Sequence, residues 1–393
     1  MAELLSTNNY GLNKTHKNQN EVKYILGLIL IGLLASLPYW NAKGDDAFIT
    51  FRFVKNFVEH HQLAYNLGEP IYGFTSPLWL GFLSLVYLVI SDMYISVWIA
   101  SFLSLILCVI ALWKLSSAII ENVGLRYAAM VTILVDAWFG RWAFSGQEIT
   151  FKIGICAILL LSAISHLQRT SDRSWQYILT GILFSLGIMT RPEMTFLFLL
   201  LVLFLFRAKN YKGILIITFM VFLIWGTWAV FAYTTFGWIF PHTIMAKAFN
   251  YRFGNSFLTI IGRIITYLVP RYIQIVLLPL LGLILSIIVI KVKQSKIKLH
   301  VNTPLPVLFL LCWVIGVSIA YFFVGYVSSM YTLIFSPFLV LIFGAILDTI
   351  MKQLGKKLFR GILLTIISIA FLVSGTIFMF RLGSFSWLMS SKY

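Results

Sequence analysis

The chain has 393 residues, of which 60% are hydrophobic, 16% aromatic and only 11% charged. A soluble domain carries about 25% charged residues, so a water-soluble fold has nowhere to hide this much apolar surface. The formal charge of +17 does not point to nucleic acid. The Lys and Arg residues fall in short clusters between apolar runs rather than along a soluble face.

A membrane span takes roughly 17–25 apolar residues, and the predicted elements follow from that length. Residues 1–23 are polar and Asn-rich, too long for a signal-peptide n-region, so the apolar run from Tyr24 reads as a retained anchor. Long runs predict spans at 24–41, 93–115, 149–167, 213–236, 271–291, 304–324, 331–351 and 359–380, with shorter ones at 127–139, 175–190 and 194–207. The run 77–91 is too short to cross comfortably and is assigned to the outer interface.

Charge bias supports that assignment. With 77–91 at the interface the chain makes about 11 spans from a cytoplasmic N-terminus. The basic clusters at Lys14–Lys23, Lys114/Arg126, Arg169/Arg173, Arg207–Lys212, Lys291–Lys298 and Lys352–Arg360 then all face inward. If 77–91 crossed, every later cluster would move outside. The fold class is therefore an all-α, polytopic transmembrane helix bundle over 24–380, with interfacial helices in a large first outer loop and a short outer tail at 381–393. Cys108, Cys156 and Cys312 lie inside apolar runs without paired spacing and read as small buried hydrophobes.

The outward loops, 42–92 and 237–270 above all, hold the conspicuous acidic and imidazole groups. Lys43-Gly-Asp45-Asp46 emerges at the outer end of the first span, ahead of a surface helix expected from about Ala47 to His60 and carrying Arg52. Adjacent carboxylates repel, and either a divalent cation or nearby Arg and Lys must compensate. One Asp serves as a helix cap, which leaves the second unexplained.

Glu69, Gly73 and Pro77 punctuate the rest of that loop, and Trp79 reads either as a membrane-interface anchor or as a sugar-stacking platform. Ser145-Gly-Gln-Glu148 forms an outward turn, where a carboxylate at a helix start is also favoured by the dipole. In Thr190-Arg191-Pro192-Glu193, Arg191 either pairs with Glu193 or faces a phosphate, which its planar fork matches. His242 and Lys247 follow Pro241 in the second large loop, where Lys247 either snorkels or binds phosphate. His60 and His61 read as solvated. No zinc spacing, phosphate-binding Gly-rich loop or nucleophilic serine elbow is present.

Taken in order, Asp-Asp-Ala-Phe-Ile-x-Phe-Arg from Asp45, Asn-Leu-Gly-Glu with Gly-Phe-Thr-Ser-Pro-Leu-Trp through Trp79, Ser-Gly-x-Glu, Thr-Arg-Pro-Glu and Phe-Gly-x-x-x-Pro-x-Thr-x-x-Ala-Lys resemble the GT-C superfamily of polytopic glycosyltransferases. The branch most resembled contains the terminal arabinofuranosyltransferase of mycobacterial cell walls, and the similarity covers roughly residues 24–345.

The resemblance implies a multi-pass enzyme of the bacterial cytoplasmic membrane with an extracytoplasmic site. It also implies a polyprenyl-phosphate sugar donor and an acceptor that is a glycan, a lipid-linked glycan or a surface protein. By this mapping Asp45 and Asp46 are catalytic, with Mg or Mn as the candidate cation if the pair holds one. Arg191 and Lys247, with His242 and Arg52, hold the lipid phosphate. Glu148, Glu69, Glu193, Trp79 and Tyr331 serve the acceptor or support these groups. Relatives often carry an Arg-Tyr pair where this chain has Ser328-Ser-Met-Tyr331. A lipid flippase or transporter is the rival class, but it requires charges at mid-depth, and the sequence offers few.

Overall fold

The computed structural model describes residues 20–168, 173–243, 262, 304–324 and 329–353. They are helical, in the order α1 (Asn20–Tyr39, its last turn Leu37–Tyr39 tightened to 3-10), α2 (Asp45–His60), α3 (Pro77–Ile90), α4 (Met93–Ile119) and α5 (Val123–Leu134). There follow α6 (Ala137–Ala143), α7 (Ile149–Gln168), α8 (Ser174–Thr190), α9 (Met194–Arg207), α10 (Tyr211–Phe236), α11 (Leu305–Val324), α12 (Ser329–Thr332) and α13 (Ser336–Gln353).

Among the described residues four helices, α1, α4, α7 and α10, are long and apolar enough to cross a membrane. They match the expected spans at 24–41, 93–115, 149–167 and 213–236. Helices α3, α9, α11 and α13 are apolar but shorter. The expected spans at 271–291 and 359–380 lie outside the described residues, so the predicted count of about 11 has no structural counterpart here.

Two expected boundaries are corrected. The run 127–139 is not one straight span, because α5 and α6 bend by 63°. The carboxylate of Asp136 accepts the Trp138 N–H at 3.2 Å and starts a new helix there, so the backbone break is satisfied locally. The run 331–351 begins with the short α12, and its long helix starts only at Ser336.

The most extensive packing is α4 against α7 and α8 against α10. Lipid tails are as apolar as Leu, so close backbone approach through small residues must hold such pairs. Gly154 of α7 supplies it: a Cβ there would sit 3.1 Å from the Cα of Cys108 in α4. Leu215, Phe219, Phe222 and Val230 of α10 are exposed, as a lipid-facing surface requires.

Helix α2 buries Ala47, Phe51 and Val54, spaced one turn apart, and turns Arg52 and Lys55 outward. It ends at His61, which takes the left-handed conformation (φ 57°) and returns its N–H to the Asn56 carbonyl. Its buried face joins Tyr72, Phe74, Trp79, Phe151 and Phe236 in an aromatic cluster. There the indole Nε1 of Trp228 donates to Tyr72 Oη at 3.0 Å. This cluster fixes the loop 61–76 over the ends of α7 and α10.

The two ends of the bundle collect different loops. At one, the loop after α1 meets those before α7, after α8 and after α10, together with α12. At the other, Glu21 pairs with Lys114, and Lys352 pairs with Glu121.

Candidate functional site

The site begins where α2 starts. Gly44, not an aspartate, is the N-cap, so Asp45 and Asp46 occupy the first turn of α2 rather than capping it. That corrects the expected start near Ala47. Two carboxylates placed there gain from the helix dipole without spending a side chain on capping. Gly44 N–H donates to the Ser145 carbonyl at 3.2 Å, and Lys43 Nζ to the Phe144 carbonyl at 2.8 Å. Arg141 adds a bond to the Ala42 carbonyl at 2.8 Å. Gly146 sits at φ +84° with the Phe51 ring where a Cβ would lie, at 2.6 Å, so only glycine lets this turn close onto α2. Lys43 lies between helices, where burial first and then the charge of Arg141 push its pKa down to about 8.

The cleft built on this frame is lined by Asp46, Thr50, Gly73, Phe74, Thr75, Gln147, Glu148, Arg191, Thr243 and Tyr331, with Ile49. Its volume is about 60 Å³.

Arg191, only 7% exposed, forms an ion pair with Glu148, equally buried, and donates to Thr75 Oγ1 at 3.3 Å. Of the two nearby carboxylates, the one in direct contact with Arg191 is Glu148 rather than the expected Glu193. Burial opposes the Arg191 charge, but Glu148 and then Glu193 outweigh it and hold its pKa above the usual value. Glu193 accepts a hydrogen bond from Tyr321 Oη at 2.6 Å. Burial would raise its pKa, but Arg191, Lys152 and that bond prevail, so the carboxyl lies below the usual range. Arg191 Nε and Thr243 Oγ1 are buried without a hydrogen-bond partner among the described residues.

The structure sorts the predicted residues. Asp46, Glu148, Arg191 and Tyr331 come together in the cleft, and Glu193 lies against its floor through Arg191. Asp45 does not line the cleft and lies instead within electrostatic reach of Arg141. Arg52 is exposed and donates to the Tyr65 carbonyl at 3.2 Å, outside the cleft. Glu69 is exposed and accepts from Asn66. His242 is tied through its backbone N–H to the Tyr72 carbonyl at 2.9 Å, and its neighbour Thr243 reaches the cleft instead.

Trp79 is corrected outright. It is 1% exposed and packs beside the stacked rings of Phe82 and Phe151, so it neither anchors at an interface nor offers a face to a sugar. Lys247 lies outside the described residues. Sequence reading missed Gln147, Thr75, Thr243 and Tyr321 as participants, and above all Lys152. That lysine is fully buried one helical turn after Glu148. The available signal was a lone cation four residues beyond a carboxylate in an otherwise apolar run.

For a metal, the cleft offers Asp46 and Glu148, the latter already engaged by Arg191. Among the described residues no group of three His, Cys, Asp or Glu is placed to hold a metal ion. The side chains described do not make a dedicated site for a divalent cation.

No family model matches the sequence, and no curated protein matches it. Solved structures do. The Archaeoglobus fulgidus oligosaccharyltransferase in complex with Zn and sulfate superposes with a TM-score of 0.57 at 13% identity, covering 90% of this chain and 52% of that one. Its apo form gives 0.56 at 11% identity, covering 90% and 55%. The archaeal oligosaccharyltransferase AglB from the same organism, with an inhibitory peptide and a dolichol-phosphate, gives 0.55 at 12% identity, covering 91% and 55%. At this identity the likeness is one of fold alone. The chain spans about half the length of these structures.

Proposed function

We propose that the chain is a membrane glycosyltransferase that moves a sugar from a polyprenyl-phosphate donor to an acceptor on the extracytoplasmic face of a bacterial cytoplasmic membrane. The observation that carries this reading is the cleft itself. Five segments distant in sequence deliver a first-turn carboxylate, a buried Arg–Glu pair and three threonine hydroxyls to one small space at one end of the bundle. The fold shared with an oligosaccharyltransferase captured with a dolichol-phosphate and a peptide adds support for a lipid-linked donor.

The leaving group in such a transfer is a lipid phosphate, already a good one. The protein's tasks are alignment, a base and stabilisation of charge. Asp46 is assigned as the general base that takes the acceptor's hydroxyl proton, because it is the member of the pair that lines the cleft. Arg191, held in place by Glu148 and keeping an unpaired Nε–H among the described residues, is assigned to the departing phosphate. Lys247 is proposed as a second cation for the same group. One displacement of this kind inverts the anomeric carbon. Arabinofuranose is the sugar proposed first, on the resemblance of the motifs. The acceptor is a glycan, a lipid-linked glycan or a surface protein.

The test uses purified protein in liposomes with a radiolabelled polyprenyl-phosphate arabinofuranose and an extracted cell-envelope fraction as acceptor. Label leaving the lipid for the acceptor in wild type but not in Asp46→Asn supports the reading. Label that stays on the lipid whichever pentose or hexose donor is supplied overturns it.

A further inference from the structure

Lys152 has no part in the chemistry just described, yet it is completely buried in α7, a membrane-spanning helix. An ammonium at such depth is costly and calls for a reason. Its Nζ donates to the Met330 carbonyl at 3.3 Å and lies 5.8 Å from the centre of the Tyr331 ring. The Arg191 guanidinium lies at the same 5.8 Å from that ring, so Tyr331 meets two cations. No carboxylate pairs directly with Lys152 among the described residues. What it gives the site is charge acting over a short distance, and the groups that feel it are Arg191, Glu148, Glu193 and Cys156. Tyr321 and Tyr331 complete the titratable set around Arg191.

Two carboxylates and two cations make a buried quartet, Glu148, Glu193, Arg191 and Lys152, without net charge. Remove Lys152 and the remaining three carry a net negative charge in the buried floor of the cleft. Water cannot screen a charge at that depth, and an approaching anion would be repelled.

We infer that Lys152 is a positioning residue that keeps the buried quartet neutral, so that Arg191 can receive an anionic phosphate group in the cleft. The balance rests on the burial of the four groups, the Arg191–Glu148 ion pair and the Tyr331 ring that both cations share. Its consequence for phosphate binding rests on the proposed function.

Two measurements on full-length protein in nanodiscs test this. The first is binding of undecaprenyl phosphate to wild type, Lys152→Met and the double variant Lys152→Met/Glu193→Gln, in which one negative charge is removed with the positive one. Loss of Lys152 is expected to weaken binding tenfold or more, and the double variant to return within about threefold of wild type. A role confined to packing against Met330 would leave the double variant as weak as the single one, and that result overturns the inference. The second is the infrared carboxyl band. As the pH is lowered, Lys152→Met should show a protonated carboxyl at a pH where wild type shows none, because the uncompensated negative charge favours the neutral acid, and Glu193→Gln should remove it. The binding comparison is made above that pH, where both acids are ionised. No new band in Lys152→Met, with the protein folded by circular dichroism, also overturns the inference. If wild type binds no undecaprenyl phosphate, the donor assignment fails while the infrared result still decides the role of Lys152.

Discussion

The two ends of the bundle both carry paired charges, and the difference between them shows what makes a site. At the far end Glu21 meets Lys114 at 2.7 Å and Lys352 meets Glu121 at 2.8 Å, with side chains from 31% to 82% exposed. A hollow of about 480 Å³ lies there, lined by Tyr24, Trp113, Lys114 and Arg126 among others. At the cleft end the space is about 60 Å³, but Glu148 and Arg191 are under a tenth exposed and Lys152 is fully enclosed. Volume is therefore a poor guide in this molecule. Water at the far end screens each charge separately, whereas the cleft charges must answer to one another.

The comparison breaks first, and with the largest effect, at Asp46. Asp46→Asn should lower transfer by about 10²-fold or more, since a carboxamide cannot accept the proton, while the protein extracts and elutes normally. Asp45→Asn should cost much less, because Asp45 does not line the cleft. Transfer assays on the two variants decide between them. Equal losses would mean that the helix start acts as one unit, and near-normal activity in Asp46→Asn would remove the base. Next comes Glu148→Ala, which leaves Arg191 buried without its ion partner. A loss of about 3–5 kcal/mol in stability is expected, because breaking a buried pair strands a charge. Chemical unfolding in mild detergent measures it, and a loss under about 1 kcal/mol would show that Arg191 finds water or another acceptor.

A smaller effect is expected from pH at the hinge between these groups. The Lys43 pKa is about 8 in the folded protein against 10.5 for a free lysine. Between those values the unfolded chain binds more protons, so folded stability rises with pH across that window. The unfolding midpoint of wild type should therefore rise relative to that of Lys43→Met from pH 8 to pH 10.5. Parallel pH curves for the two proteins would show that Lys43 is freely solvated.

The sequence revealed the long spans because α4, α7 and α10 are continuous apolar runs with only one length solution. It missed the bend at Asp136, since one carboxylate inside an apolar run looks the same whether it ends a span or starts a second helix. It directed attention to the loops that build the cleft because acids and Arg191 stood out against apolar flanks. It could not pair Arg191 with Glu148 over Glu193, which is nearer in sequence, because that choice is made by the packing of α7 against α8. Trp79 was ambiguous because burial is decided by tertiary packing, and only its 1% exposure shows that no face is left open. Lys152 resembled any lysine able to snorkel until burial showed that it cannot.

The smallest predicted effect is at Lys352. Its ammonium touches both Glu121 and Asp348, at 2.8 and 3.3 Å, and Asp348 is itself buried while accepting the Glu121 N–H at 2.9 Å. Two carboxylates on one cation would make a strong site if water were excluded. The lysine is 49% exposed and Glu121 82% exposed, so solvent takes over most of the interaction when the ammonium is removed, and the Glu121 N–H still serves Asp348. Lys352→Ala should therefore cost less than about 1 kcal/mol, and that loss should vanish in high salt. A salt-independent loss of the size expected for Glu148→Ala would mean that Asp348 depends on the ammonium as Arg191 depends on Glu148. The two ends would then differ in what they bind rather than in how they are held.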